Sequence, residues 1–196
     1  MMLPFKERFL AFLGRMLSVT LGIVITFTVQ GILNRRSDRH SVRAALELVR
    51  TELSSNLEDV DVMADYLQQE KKSAQYLYDH KKTLAKCPQD SVLFHTGMVN
   101  AYVSLALSHD ALELLKMSSL FPKIGDNDLS MKIIHAYDSG ELMVSNVNRH
   151  ISDRNAQGDK AADWLVRQVD PSIFTDPSDI ELAVEAIDAF LSKTKK

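Results

Sequence analysis

Cysteine, proline and glycine are all scarce in this sequence of 196 residues, which has one cysteine, five prolines and seven glycines. Because Cys87 is the only cysteine, no disulfide can form within the chain, and packing must hold the fold together. We interpret its thiol as a small, buried apolar side chain. Few helix breakers, and no aromatic-rich segments of alternating polarity, predict an all-α protein.

Motifs for catalysis or cofactor binding are missing as well. None of the six histidines, at positions 40, 80, 95, 109, 135 and 150, has a partner at the three- or four-residue spacing that places two metal ligands on one helical face. No glycine-rich phosphate loop, Gly-x-Ser-x-Gly elbow or Glu-x-x-His pair occurs. The sequence therefore predicts no enzyme, no cofactor and no metal site.

The distribution of acidic residues argues against both a nucleic-acid partner and a calcium site. Five basic residues and one acidic residue precede Ser37, leaving 18 basic and 25 acidic residues in the rest. A surface with that excess of acid does not suit phosphate backbones, so we predict no nucleic-acid partner. The acidic run from Glu58 to Asp65 lacks the glycine turn of a calcium loop, and we interpret it as a solvated helix face.

One long apolar run has no ionisable residue between Met16 and Asn34, and arginines flank it on both sides. Its 18 residues from Met16 to Leu33 would span about 27 Å as a helix, close to the ~30 Å of bilayer hydrocarbon. A cleaved signal peptide would end in small residues, which are missing here. We predict an uncleaved single-pass transmembrane helix over 16–34, preceded by a short basic tail over 1–15.

Small and polar residues recur every four positions within and just before this run, at Gly14, Ser18, Gly22, Thr26 and Gln30. This spacing places them along one ridge of a helix. Small side chains let a second membrane helix approach closely, and polar groups can bond across the contact. The ridge therefore favours self-association, although small residues are also common in membrane helices that do not pair.

The segment after the anchor has the pattern of one long amphipathic helix. No glycine or proline occurs from Ile32 to Cys87, which predicts about 45 further helical residues. Steps of three and four residues, as in a coiled coil, dominate among the apolar positions Val42, Leu46, Val49, Leu53, Leu57, Val60, Met63, Leu67, Ala74 and Leu77.

Further helices are predicted where capping residues precede apolar stripes. The expected segments are 91–107, a shorter helix that closes at Pro122, and a long helix over 127–154. Gly140 in the last one marks either a close helix crossing or a local break. We expect an antiparallel helical bundle over 35–157, with a C-terminal helical hairpin over 158–196 packed on it.

Three segments resemble a bacterial family of uncharacterised single-pass membrane-anchored helical proteins. They are LGIVITF at Leu21–Phe27, RAALELVRTELSSNLEDV at Arg43–Val60, and ALELLKMSSLFPKIGDNDLSMKIIHAY at Ala111–Tyr137. Members of that family leave the membrane through a segment containing Asn and Trp, where this chain has Gln30–Asn34 without tryptophan. Counting flanking charges does not orient the span, but the resemblance implies a tail in the cytoplasm and a helical domain in the periplasm.

These features together predict a function class rather than a reaction. We expect a membrane-anchored helical interaction or scaffold module of the bacterial envelope, held in the inner membrane. Its predicted partners are the lipid bilayer and either a second copy of the chain or another envelope protein. The alternative is a sensory or ligand-binding helical bundle that signals through a partner protein.

Overall fold

The computed structural model describes residues 5–168, 170 and 174–193, with side chains from residue 37 onward. Its six α-helices confirm the all-α prediction, and no strand occurs in these ranges. Short 3₁₀ turns join some of the helices at Leu84–Lys86, Phe121–Lys123 and Gly158–Lys160. The α-helices are α1 (Phe5–His80), α2 (Gln89–Val99), α3 (Asp110–Met117), α4 (Asn127–Asn155), α5 (Ala161–Leu165) and α6 (Ser178–Lys193).

Helix α1 is a continuous rod of 76 residues, and its backbone passes without a break from residue 5 to His80. The buried face follows alternating steps of four and three residues, so a strict heptad pattern turns one side of α1 towards the core. All of these positions are buried: Val42, Leu46, Val49, Leu53, Asn56, Val60, Met63, Leu67, Glu70 and Ala74. The predicted long helix is present, and its core stripe includes two polar residues.

The chain returns beside α1 in three pieces rather than as the predicted helix over 91–107. Helix α2 ends at Val99, and residues 101–109 have no regular secondary structure before α3 begins at Asp110. The helical prediction was wrong over 101–107, because side chains of α1 and α4 bind the backbone there and replace the bonds that a helix would make. Tertiary contacts override local propensity in this segment.

Helix α4 runs in the same direction as α1. Just before its start, Lys123 pairs with Asp38 at 2.8 Å, and near its end Arg154 pairs with Glu70. Asp126 caps the first turn, since its carboxylate accepts a hydrogen bond from the Leu129 amide at 3.0 Å. We call the end of the bundle around Asp38 the foot, and the end around Glu70 the far end.

Helix α6 completes the bundle by running from the middle of α1 back to the foot. Arg50 of α1 pairs with Asp188, and the Arg43 guanidinium donates to the Leu191 carbonyl oxygen at 3.0 Å. The predicted C-terminal hairpin over 158–196 takes another form, because α5 has only five residues and α6 packs between α1 and α4. Residues of α6 such as Ile180 and Ile187 belong to the main core cluster, so α6 is one of the helices that form the bundle.

The structure bears only in part on the predicted anchor. Among the described residues, no helix is both long enough and apolar enough to cross a membrane. The predicted span over 16–34 lies where the backbone of α1 is helical, but outside the residues whose side chains are described. The membrane helix therefore stays a prediction.

Candidate functional site

The most densely bonded site is a buried polar cluster at the far end, centred on Arg154 of α4. Arg154 has no exposed surface and Glu70 is 1% exposed, and their side chains form an ion pair. The guanidinium also donates to the Tyr66 hydroxyl at 3.1 Å and to the Ala101 carbonyl oxygen at 2.7 Å. Two further bonds reach the Asn155 side-chain oxygen, at 2.8 and 3.1 Å. Every N–H of Arg154 therefore has a partner.

This cluster joins three helices and the beginning of the irregular segment. Glu70 and Tyr66 come from α1, Arg154 from α4, and the Met98 carbonyl oxygen of α2 accepts from the Tyr66 hydroxyl at 3.0 Å. Burial raises the pKa of Tyr66, and the nearby Glu70 carboxylate raises it further. Because Arg154 has no donor left for a ligand, we interpret the cluster as an internal tie that fixes how α1, α2 and α4 meet.

His150 stands beside this tie with a side-chain atom that lacks a hydrogen bond. It is 7% exposed, and its ring lies between Trp164 and Phe174, with centroids 5.3 and 5.6 Å away. Its Nε2 atom is 3.5 Å from a Glu70 carboxylate oxygen and makes no hydrogen bond within the described residues.

Two asparagines hold the irregular segment 101–109 in the middle of the bundle. The Asn148 side chain of α4 accepts from the Leu105 amide at 2.9 Å and donates to the Leu105 carbonyl oxygen at 2.8 Å. Asn56 of α1 makes the same pair of bonds with Ser108, at 2.9 and 2.8 Å. Each side-chain amide satisfies both polar groups of one residue, as a neighbouring strand would. We call Asn56 and Asn148 the amide clamps.

Glu52 fixes the point where the segment becomes helix α3. Its carboxylate accepts from the Ser108 hydroxyl at 2.7 Å, the Ala111 amide at 3.0 Å and the Tyr137 hydroxyl at 2.5 Å. Partial burial by itself would raise the pKa of Glu52, but these hydrogen bonds outweigh it and lower that pKa below its ordinary value. Burial and the adjacent Glu52 carboxylate both raise the pKa of Tyr137.

A pH-dependent loss of stability follows from the lowered pKa of Glu52. The contribution is complete above the pKa of the unfolded chain and disappears as the pH falls through the lower pKa of the folded state. We expect Glu52→Gln to cost about 1 kcal/mol at pH 7 and to flatten the decline of stability below about pH 4.5. Urea unfolding at pH 7 and at pH 3, followed by the fluorescence of Trp164, measures both effects. The exposed Glu185→Gln is the control, and an equal acid decline in Glu52→Gln and the parent would contradict the assignment.

A cavity of about 250 Å³ lies between the irregular segment, α4 and α6. Most of its wall is apolar, with Leu105, Val144 and Ile180 among the lining residues. Gly140 is part of this wall, and a Cβ atom there would stand 3.2 Å from the Leu107 side chain. Neither alternative predicted for Gly140 is found, because α4 continues through it and the close neighbour is the irregular segment rather than a helix.

The predicted pairing residues Gly14, Ser18, Gly22, Thr26 and Gln30 lie outside the residues whose side chains are described, so their contacts stay predictions. Sequence reasoning missed the functional candidates found here, above all Glu70, Arg154, His150 and the amide clamps. A signal for two of them was present: the heptad steps from Val42 land on Asn56 and Glu70. Within the described part of the chain, no group of three or more His, Cys, Asp or Glu side chains could hold a metal ion.

Comparison with known proteins adds no relative: no family model, curated protein or solved structure matches this chain. Function is therefore inferred from the geometry of the molecule.

Proposed function

We propose that this protein is a membrane-anchored helical interaction module whose α1 pairs with α1 of a second copy. In this proposal, residues 16–34 form the anchor in a bacterial inner membrane, and the bundle stands on the periplasmic side. No catalytic step is assigned to it. One observation carries the proposal, namely an uncovered row of residues along α1 opposite its buried face.

The uncovered row follows the same alternating steps as the core stripe. We call it the outer row, and each of its members is exposed: Ala44, Leu48, Thr51, Ser55, Glu58, Val62 and Asp65. Leu48 is 52% exposed and Val62 is 70% exposed, which is unusual for apolar residues in the middle of a heptad pattern. Small and apolar residues at a heptad spacing suit close contact with a second helix.

The outer row also leads into the predicted membrane ridge at Gln30. Further steps of three and four residues lead from Ala44 through Ser41, Ser37 and Asn34 to Gln30, the last member of that ridge. At about 100° per residue, both sets lie on the side of α1 opposite the core stripe. A second α1 that packs on the ridge would thus continue along the outer row, next to α3, whose Ala111 and Leu114 line the same surface pocket as Leu48.

Pairing through this face is symmetric, since each copy would present the same row to the other. The charges limit how far it extends, because Glu58 and Asp65 would face their own copies across the axis. Contact is therefore expected from the membrane to about Ser55, and the two helices should separate towards the far end.

Cysteine crosslinking in native membranes tests this arrangement. In a Cys87→Ser background, Ala44→Cys and Thr51→Cys are expected to give disulfide-linked dimers on mild oxidation, because outer-row positions face each other across the axis. Glu47→Cys is the matched control, since it is exposed between the two test positions but about 100° away from Leu48. Non-reducing electrophoresis gives the dimer fraction at each position.

The membrane ridge is tested in the same assay. Adding Gly22→Ile to Ala44→Cys should lower the dimer fraction at least several-fold, because a bulky side chain keeps the membrane helices apart. Monomer at every position, or equal dimer at Glu47→Cys, would refute pairing through the outer row. Recovery of the full chain in the soluble fraction without detergent would refute the anchor.

The 250 Å³ cavity supports a second candidate function, the binding of a small apolar ligand by the bundle. Its apolar wall, with the polar edge near Ser108 and His109, has the composition of small-molecule pockets. An apolar compound that copurifies with the parent, and is lost when Val144→Phe fills the space, would favour this function. Mass spectrometry of an organic extract detects it.

A further inference from the structure

The foot of the bundle contains a pocket of about 560 Å³ with a cationic rim. Arg39, His40, Arg43, Lys123 and Lys193 contribute to it, and they come from α1, the turn before α4, and the end of α6. Such a concentration of positive charge contrasts with the acidic excess of the chain from Ser37 onward. Three separate parts of the chain thus bring cations to one place.

The positive charge of this rim is only partly balanced within the bundle. Lys123 pairs with Asp38 at 2.8 Å, and Arg43 pairs with Glu47 at 3.1 Å. The side chains of Arg39, His40 and Lys193 make no ion pair or hydrogen bond with another described residue. The rim therefore has positive charge to offer an anion.

The floor of the pocket is apolar. Val42 and Ile124 are buried there, and Phe190 is half-buried beside them. A pocket with an apolar floor and a cationic rim matches a molecule that has a phosphate group next to hydrocarbon. Inorganic phosphate would contact the cationic rim but not the apolar floor.

The pocket also lies at the right height for such a molecule. Along the helix axis, Arg39 is about 7.5 Å and Arg43 about 14 Å beyond Asn34, where the predicted membrane span ends. The headgroup layer of one leaflet extends roughly 5–8 Å beyond the hydrocarbon, and long basic side chains can reach back towards it. The rim thus borders the headgroup layer.

We propose that this foot pocket binds the phosphate of an anionic phospholipid from the adjoining leaflet, with Arg39 and Lys193 as its principal cations. The proposal rests on the anchored orientation put forward above. Bound lipid would hold the start of the bundle and the end of α6 against the membrane surface, and so fix the tilt of the bundle on its anchor.

Thermal unfolding of the full chain in mild detergent tests the lipid site, with Trp164 fluorescence as the readout. We expect phosphatidylglycerol, at concentrations well above its Kd, to raise the midpoint by about 3–8 °C. Phosphatidylcholine, which carries phosphate but no net charge, should give little or no rise. Arg39→Gln with Lys193→Gln should remove the rise, whereas Lys82→Gln with Lys160→Gln, the same charge change on exposed lysines away from the foot, should keep it.

Several outcomes would overturn the lipid proposal. It fails if phosphatidylcholine stabilises the chain equally, or if the double variant at the foot keeps the full response. An equal rise with millimolar inorganic phosphate would identify a site for free phosphate instead. These failures are distinct from failure of the proposed function, because membrane retention and crosslinking along the outer row are measured without added lipid.

Discussion

Replacing Arg154 by methionine is expected to lower the free energy of unfolding by about 3–5 kcal/mol, more than any other single substitution proposed for this chain. Methionine fills a similar volume but leaves the Glu70 carboxylate buried without its cation. The Ala101 carbonyl oxygen also loses its donor. Urea unfolding of the full chain in mild detergent measures the loss. A decrease below about 1 kcal/mol would mean that water replaces Arg154 readily.

A double variant separates the ion pair from the rest of the cluster. Adding Glu70→Leu to Arg154→Met removes the uncompensated charge, so the double variant should recover about 1–3 kcal/mol relative to Arg154→Met alone. Arg149→Met is the matched control on α4, because Arg149 is exposed and its side chain bonds, among the described residues, only to the Asn146 side chain. Its effect should stay within about 0.5 kcal/mol. If the double variant had a lower free energy of unfolding than Arg154→Met, the two side chains would contribute to stability independently.

Loss of both amide clamps has the second largest expected effect. Asn148→Ala leaves both backbone polar groups of buried Leu105 without partners, at a cost of about 1–3 kcal/mol. Asn56→Ala should cost less, since Ser108 is exposed and water can replace the lost bonds. Together the two changes should release residues 101–109, so chymotrypsin should cleave at Tyr102 or Leu105 far faster than in the parent.

A second variant tests whether faster cleavage comes from loss of the amide clamps in particular. Asn146→Ala removes an amide from α4 that has no bond to the irregular segment, and it should leave the protease pattern unchanged. Hydrogen exchange at the Leu105 and Ser108 amides gives an independent measurement, since both amides should lose protection only in the clamp variants. Unchanged protection in Asn148→Ala would mean that packing of Leu105, rather than its hydrogen bonds, holds the segment.

The long helix was predictable because its signal is local and repeated. From Val42 to Ala74, every position on the heptad steps is buried, with Ala45 and Ser73 buried beside them, and the absence of proline and glycine explains why α1 continues to His80. The same strict steps point to Asn56 and Glu70 as core residues. An interpretation that assigns core positions by hydrophobicity selects Leu57 instead, which is only half-buried.

The irregular segment and the buried tie were not predictable in the same way. Residues 101–107 have an apolar composition that suits a helix, and their extended course depends on Asn56, some 50 residues earlier, and on Asn148, some 40 residues later. Likewise, the local sequence predicts an exposed position for Arg154, and its burial depends on the contact with Glu70 of α1. Single positions far apart in sequence decide both features, and although the heptad steps reach Asn56 and Glu70, no periodic pattern indicates their partners.

The bond between the Arg43 guanidinium and the Leu191 carbonyl oxygen joins residues 148 positions apart. During synthesis, α1 therefore leaves the ribosome long before α6 can cover its side of the core. In that interval the part of α1 that contacts α6 stays exposed to water, and the incomplete bundle presents an apolar surface that favours aggregation. We expect biogenesis to depend on a holding chaperone or on rapid translation, and slowing elongation between α4 and α6 should increase aggregation.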